Sequence, residues 1–206
     1  MVTISQDYMD ELEWTVHQLQ PFGAHTAHPP APEYHGFLGS TTNAAIVLLG
    51  QCIVLAGGKF ELLDGFTTKH WQSVLNMVHR SYHSSIQMVV EAMCQGYCQT
   101  RGKEILPSRK DSKPQFMDHV NSALSISNLS ALRQKYWRVY FDGIRILRNK
   151  VSHFDPYFTD QEKEILIEAG LGGHISPTGM IQTQPASYVS LAELIFIFIQ
   201  ELEKDV

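Results

Sequence analysis

Leu129 to Phe154 reads LSALRQKYWRVYFDGIRILRNKVSHF, and this stretch decides how the chain is built. Its apolar residues Leu129, Leu132, Tyr136, Tyr140, Ile144, Leu147, Val151 and Phe154 recur at steps of three or four. At about 100° per residue they gather on one side of a helix. The opposite arc holds Arg138, Asp142, Arg145, Arg148, Asn149, Ser152 and His153. Asp142 stands four residues after Arg138 and three before Arg145, within reach of either. Pro156 disfavours helical geometry at Asp155, which puts His153 in the final turn. Ser127 or Asn128 is the expected cap.

Working outward, the same periodicity predicts helices over 5–19, 41–56, 67–100, 114–124 and 159–169, with a last one from Ser190 to about Glu203. Pro21 is expected to end the first, and Gly170 the one over 159–169. Ser190-Leu191-Ala192-Glu193 has the pattern of a capping box. Residues 21–40, rich in Pro, Gly and His, read as a loop, and the Gly-rich stretch 170–186 reads as an irregular or hairpin-like excursion. No segment sustains period-two alternation, and no internal repeat is visible. The expectation is an all-α chain: one domain over 1–206, an up-and-down helical bundle with loop insertions.

Composition narrows the function classes. A chain of 206 residues that is 44% hydrophobic and 18% charged is neither disordered nor membrane-like. A net charge of −5 argues against coating nucleic acid along the whole surface. The charge is unevenly placed, however. Residues 101–150 contain eleven of the sixteen Lys/Arg and only four acids, which allows a local polyanion site. Cys52, Cys94 and Cys98 form no disulfide framework, and Cys94 and Cys98 read as core residues one turn apart. The start, MVTISQDYMDELEW, lacks the basic n-region and apolar core of a signal peptide. The apolar run from Ala44 to Ala56 is too short to cross a bilayer. A cytoplasmic protein with no membrane partner is expected.

The polar arc carries the chemistry. Asn149 and His153 are one helical turn apart, and Arg148 and His153 flank Asn149. A histidine serves as general acid or base near neutral pH. An arginine beside it holds a phosphate bidentately and stabilises charge that develops there. Asn149 can orient the imidazole or a water. These residue types suffice for phosphodiester cleavage, although Arg, Asn and His are equally ordinary on any exposed helical face. His79 and His83, one turn apart, offer a competing metal site with a further ligand from His25, His28 or His35. No carboxylate sits at a matching spacing, so no metal or other cofactor is expected. Gly57-Gly58 and Gly172-Gly173 lack the spacing of phosphate-cradling loops.

An amphipathic helix ending in Leu147-Arg148-Asn149-Lys150-Val151-Ser152-His153 resembles the signature helix of the HEPN superfamily, small helical-bundle domains with an R-N-x-x-x-H motif. The resemblance covers this helix and, loosely, the all-helical layout. It implies a metal-independent endoribonuclease that cleaves RNA by 2′-hydroxyl attack. Arg148 and His153 would be the catalytic pair and Asn149 the supporting residue, with Arg138, Arg145 and Lys150 as RNA contacts. It further implies a homodimer with two motifs lining one cleft, and a toxin–antitoxin or defence setting in which the partner is a nucleotidyltransferase-type antitoxin. Members without nuclease activity imply the alternative, a binding module for RNA, a nucleotide or a protein. A metal-dependent bundle enzyme built on His79 and His83 is the third reading.

Overall fold

The computed structural model describes residues 6–23, 33–56, 71–109, 112–153, 155–182 and 186–204. Its described residues form an all-α helical bundle of seven α-helices: α1 (Gln6–Gly23), α2 (Glu33–Ala56), α3 (Trp71–Thr100), α4 (Phe116–Ile126), α5 (Ala131–His153), α6 (Asp160–Glu168) and α7 (Ser187–Glu203). The excursion before α7 holds a short 3-10 turn, Gly172–His174, and two isolated bridges rather than strands. The chain groups into two compact units, 1–82 with 183–196, and 83–182 with 197–206.

In the first unit α1 and α2 pack together, burying Leu12 and Leu19 of one and Leu38, Ala45, Leu49 and Cys52 of the other. Burial of these apolar faces, more than helix propensity, is what stabilises such helices. α1 runs through Pro21 instead of ending there. Proline is best tolerated in a first turn, where the N–H groups are unpaired anyway, so Pro21 costs α1 the bond to the His17 carbonyl; the Asn43 amide supports the end of the helix by donating to the Gly23 carbonyl at 3.1 Å. Residues 33–40 are helical rather than part of a 21–40 loop. Pro32 stands directly before this start, and Glu33 sits at the positive end of the helix. Of the loop histidines, His25 and His28 lie outside the described residues and His35 falls within α2. α7 begins at Ser187, three residues before the expected capping box. Tyr188 accounts for the extra turn: it is fully buried, with ring centroids 5.0 Å from Tyr82 and 5.1 Å from His79.

The second unit is built around α5. Trp137 and Phe141 stack on each other, and both meet Phe198 of α7, at 4.8 and 4.6 Å. Phe116 of α4 closes edge-on against Phe141 at 5.9 Å. The buried face of α5 is Trp137, Tyr140, Phe141, Gly143, Ile144, Ile146, Leu147 and Lys150. It is therefore turned from the expected one: Leu132 is 80% exposed and Tyr136 is 36% exposed. The shift has a steric cause. Gly143 lets α6 approach so closely that a Cβ there would stand 3.0 Å from the Ala169 Cβ and 2.8 Å from Leu171, which draws the 143–146–147–150 side of α5 inward. The cap of α5 is Ser130, whose hydroxyl accepts from the Arg133 N–H at 3.3 Å. Ser127 is already engaged at the end of α4, where its hydroxyl donates to the Leu124 carbonyl.

One polar group is tied into this aromatic core. Glu201 of α7 accepts from the Trp137 indole N–H at 2.7 Å and from Arg133 at 2.6–2.9 Å. Burial alone would raise the Glu201 pKa, but the hydrogen bonds from Arg133 and Trp137 outweigh it and hold the carboxyl below its ordinary value. A depressed carboxylate stabilises the fold above its unfolded pKa, and that contribution is lost as pH falls through the folded value. Glu201→Ala is expected to cost about 2 kcal/mol at neutral pH. The deficit against wild type should shrink on acidification below the ordinary glutamate range, as read by urea denaturation at a series of pH values.

Candidate functional site on helix α5

The last three turns of α5 bring the motif residues to the surface in graded fashion. Arg148 and Asn149 are half-buried and His153, the last residue of the helix, is exposed. Arg148 Nη1 donates to the Asn149 side-chain oxygen Oδ1 at 3.2 Å. This contact leaves the Asn149 amide nitrogen as the end that meets solvent or a ligand. Arg148 and His153 differ by five residues, about 7.5 Å along the helix and about 140° around it. The helix ends where Pro156 predicts.

Ion pairing divides the basic residues of α5 into two groups. Arg133 pairs with Glu201, Lys135 with Glu168, Arg145 with Asp142 at 2.7 Å, and Lys150 with both Asp155 and Glu162. Arg138 and Arg148 have no carboxylate partner among the described residues. Arg138 donates to the Gln134 side chain at 3.3 Å, and the Arg148 Nε is buried with no hydrogen-bond acceptor. A buried donor left unsatisfied costs free energy comparable to a lost hydrogen bond. A phosphate would meet the guanidinium through its terminal nitrogens, since the Nε itself is closed to solvent.

The positions expected to contact RNA thus separate. Arg138 remains an uncommitted cation. Arg145 is present at the surface but neutralised by Asp142. Lys150 faces inward, 8% exposed, with its ammonium 2.6 Å from Asp155 and 3.0 Å from Glu162. Burial works against its charge, yet the two carboxylates prevail and its pKa stands above the ordinary lysine value. Asp155 lies below its ordinary value through the hydrogen bond from Lys150, and for Glu162 burial works against the charge but hydrogen bonds from the Thr159 backbone and from Lys150 outweigh it. Sequence reasoning missed both carboxylates. Asp155 is five residues from Lys150, beyond helical pairing distance. Glu162 completes the capping box of α6, where its side chain accepts from the Thr159 N–H at 2.8 Å. Thr159-x-x-Glu162 was the signal that could have revealed it.

The chain beyond His153 is held on several sides. The Pro156 carbonyl accepts from Ile181 N–H at 2.7 Å, and Phe158 N–H donates to the Gly179 carbonyl at 3.2 Å. Phe158 packs with Ile146, Leu147 and Leu166, and Ile175 and Ile181 of the excursion close over the same cluster. The stretch from 172 to 182 is therefore a brace for the segment that follows the motif.

His79 and His83 are both 2% exposed, not on a polar flank. His79 lies against Tyr188, whereas the His83 ring stands 6.5 Å from that of His174. No group of three or more His, Cys, Asp or Glu suited to a metal occurs among the described residues. Cys52, Cys94 and Cys98 are buried, and burial raises the thiol pKa of each. Among the described residues, no helix is long and apolar enough to cross a membrane. The chain matches no protein-family model, no curated protein and no solved structure.

A side chain kept for binding rather than stability should be dispensable to the fold. Arg148→Met, which removes a charge with no ion pair and a buried N–H with no acceptor, is expected to leave the unfolding free energy no lower than wild type and to raise it by up to about 1 kcal/mol. Urea denaturation compares it directly with Glu201→Ala.

Proposed function

We propose that the protein is a metal-independent endoribonuclease of HEPN type, with Arg148 and His153 acting on one phosphodiester. The observation that carries this reading is Arg148: a half-buried guanidinium without a carboxylate partner among the described residues, about one turn and a half from an exposed histidine on the same helix. In the reaction the ribose 2′-oxygen attacks phosphorus and the bond from phosphorus to the 5′-oxygen breaks. The products are a 2′,3′-cyclic phosphate and a 5′-hydroxyl. One proton leaves the 2′-oxygen and one reaches the 5′-oxygen, so the chain must supply a base and an acid. Arg148 stabilises the charge on the phosphoryl oxygens as it develops. Asn149, anchored by Arg148, orients the imidazole or the ribose.

One His153 accounts for only one proton transfer at a time, and the other needs a second group. A homodimer that faces two copies of the motif across a twofold axis supplies it and excludes water from the site. Arg138 is the RNA contact that this reading retains, because its charge is not neutralised. Lys150 is not retained as an RNA contact. A toxin–antitoxin or defence setting, with a nucleotidyltransferase-type antitoxin as partner, is the context that the motif suggests.

Total RNA incubated with the purified protein in EDTA should be cut to fragments ending in 2′,3′-cyclic phosphate. His153→Ala and Arg148→Ala should each reduce the rate by about 100-fold or more, and the double variant should be no worse than the poorer single one. RNA left equally intact by wild type and His153→Ala would falsify the nuclease. Retained RNA binding that is lost in Arg148→Ala would then favour the non-catalytic module.

A further inference from the structure

His153 is the final residue of α5, and a final turn has no following helix to hold its carbonyls. Such turns fray unless something outside the helix fixes them. Here the external tie is an ion pair that closes over the turn itself. Lys150 precedes His153 by three residues and Asp155 follows it by two, and their charged groups meet at 2.6 Å. The loop so closed spans positions 151–154 and includes His153. Glu162 at 3.0 Å fastens the same ammonium to the first turn of α6. The Phe158 ring lies 5.9 Å from it on a third side.

We propose that Lys150 is a positioning residue: by holding Asp155 against the end of α5 it fixes where the His153 imidazole stands. The role rests on the nuclease reading only for its catalytic consequence, since the anchoring itself is a property of the fold. Lysine suits the position because a compact ammonium fits between two carboxylates where a planar guanidinium needs more room. Asp155, 56% exposed on its side chain, is the outer half of the clamp and can be changed without opening the core.

The test uses isotope-labelled wild type, Lys150→Met, Lys150→Arg and Asp155→Asn. In Lys150→Met and Asp155→Asn the amides of residues 151–153 should exchange with solvent about 10-fold faster or more. The His153 ring resonances should shift and average, while the Trp137 indole signal stays in place and reports an intact core. RNA cleavage should lose about 10- to 100-fold in kcat with KM within about twofold, because a misplaced proton carrier impairs chemistry rather than binding. Lys150→Arg should recover part of the loss, and Lys135→Met, which breaks only the exposed pair with Glu168, should match wild type. Unchanged exchange and His153 signals in Asp155→Asn would overturn the proposal, even where Lys150→Met does not fold. So would a raised KM at constant kcat, which would make Lys150 a substrate contact, or faster exchange with kcat unchanged. Should wild type cleave no RNA, the nuclease reading fails, and exchange together with the His153 signals alone decides whether Lys150 anchors the turn.

Discussion

The Lys150 ammonium, buried between Asp155 and Glu162, is the constraint on which the end of α5 depends. A buried cation with one partner removed is strongly destabilising, because the remaining charge has lost its compensation. Two carboxylates from two different segments distribute that requirement over the turn after α5 and the first turn of α6. The capping box of α6 shares Glu162 with the ion pair, so helix start and ion pair are formed by the same oxygen. The Phe158 cluster, with Ile175 and Ile181 packed on it, lies beside the buried ammonium. Arg148 and Asn149 immediately precede Lys150 on α5, half-buried, and His153 follows it, exposed.

The same helix treats its cations in two ways, and the contrast carries more information than the number of basic residues. Arg133 serves the aromatic core through Glu201, and it also lies 4.6 Å over the Trp137 ring and 4.7 Å over the Tyr136 ring. Arg145 is balanced by its own neighbour Asp142. Arg148 is left with a single contact to an amide and a buried Nε. Structural cations are paired because pairing offsets desolvation. On the proposed reading Arg148 is kept for a phosphate and forgoes that compensation in the unbound protein, as binding sites are often less than optimal for stability.

The helical class was legible because the 3.6-residue period is strong in 129–154 and 67–100. The motif was legible because Arg148, Asn149 and His153 lie within two turns of one helix. What escaped the sequence came from long range. The rotation of α5 depends on Gly143 admitting Ala169 and Leu171, a contact between segments more than twenty residues apart. Lys150 looked like one more surface cation because its two partners lie beyond helical pairing distance. Tyr188 pulled α7 back by three residues through contacts with α3, which no local cap could announce. Local rules located the elements, and tertiary packing decided which of their residues face inward.

The hydrogen bond from Ile181 to the Pro156 carbonyl bears on the order in which the chain is made. A ribosome that has synthesised the peptide through His153 has not yet delivered Glu162, Gly179 or Ile181. The final turn of α5 acquires its full set of partners only after about thirty more residues have emerged, a delay of seconds at ordinary rates of translation. The motif residues are thus synthesised before the residues that lock them in place. On the proposed nuclease reading, that sequence of events withholds a finished site from the nascent protein.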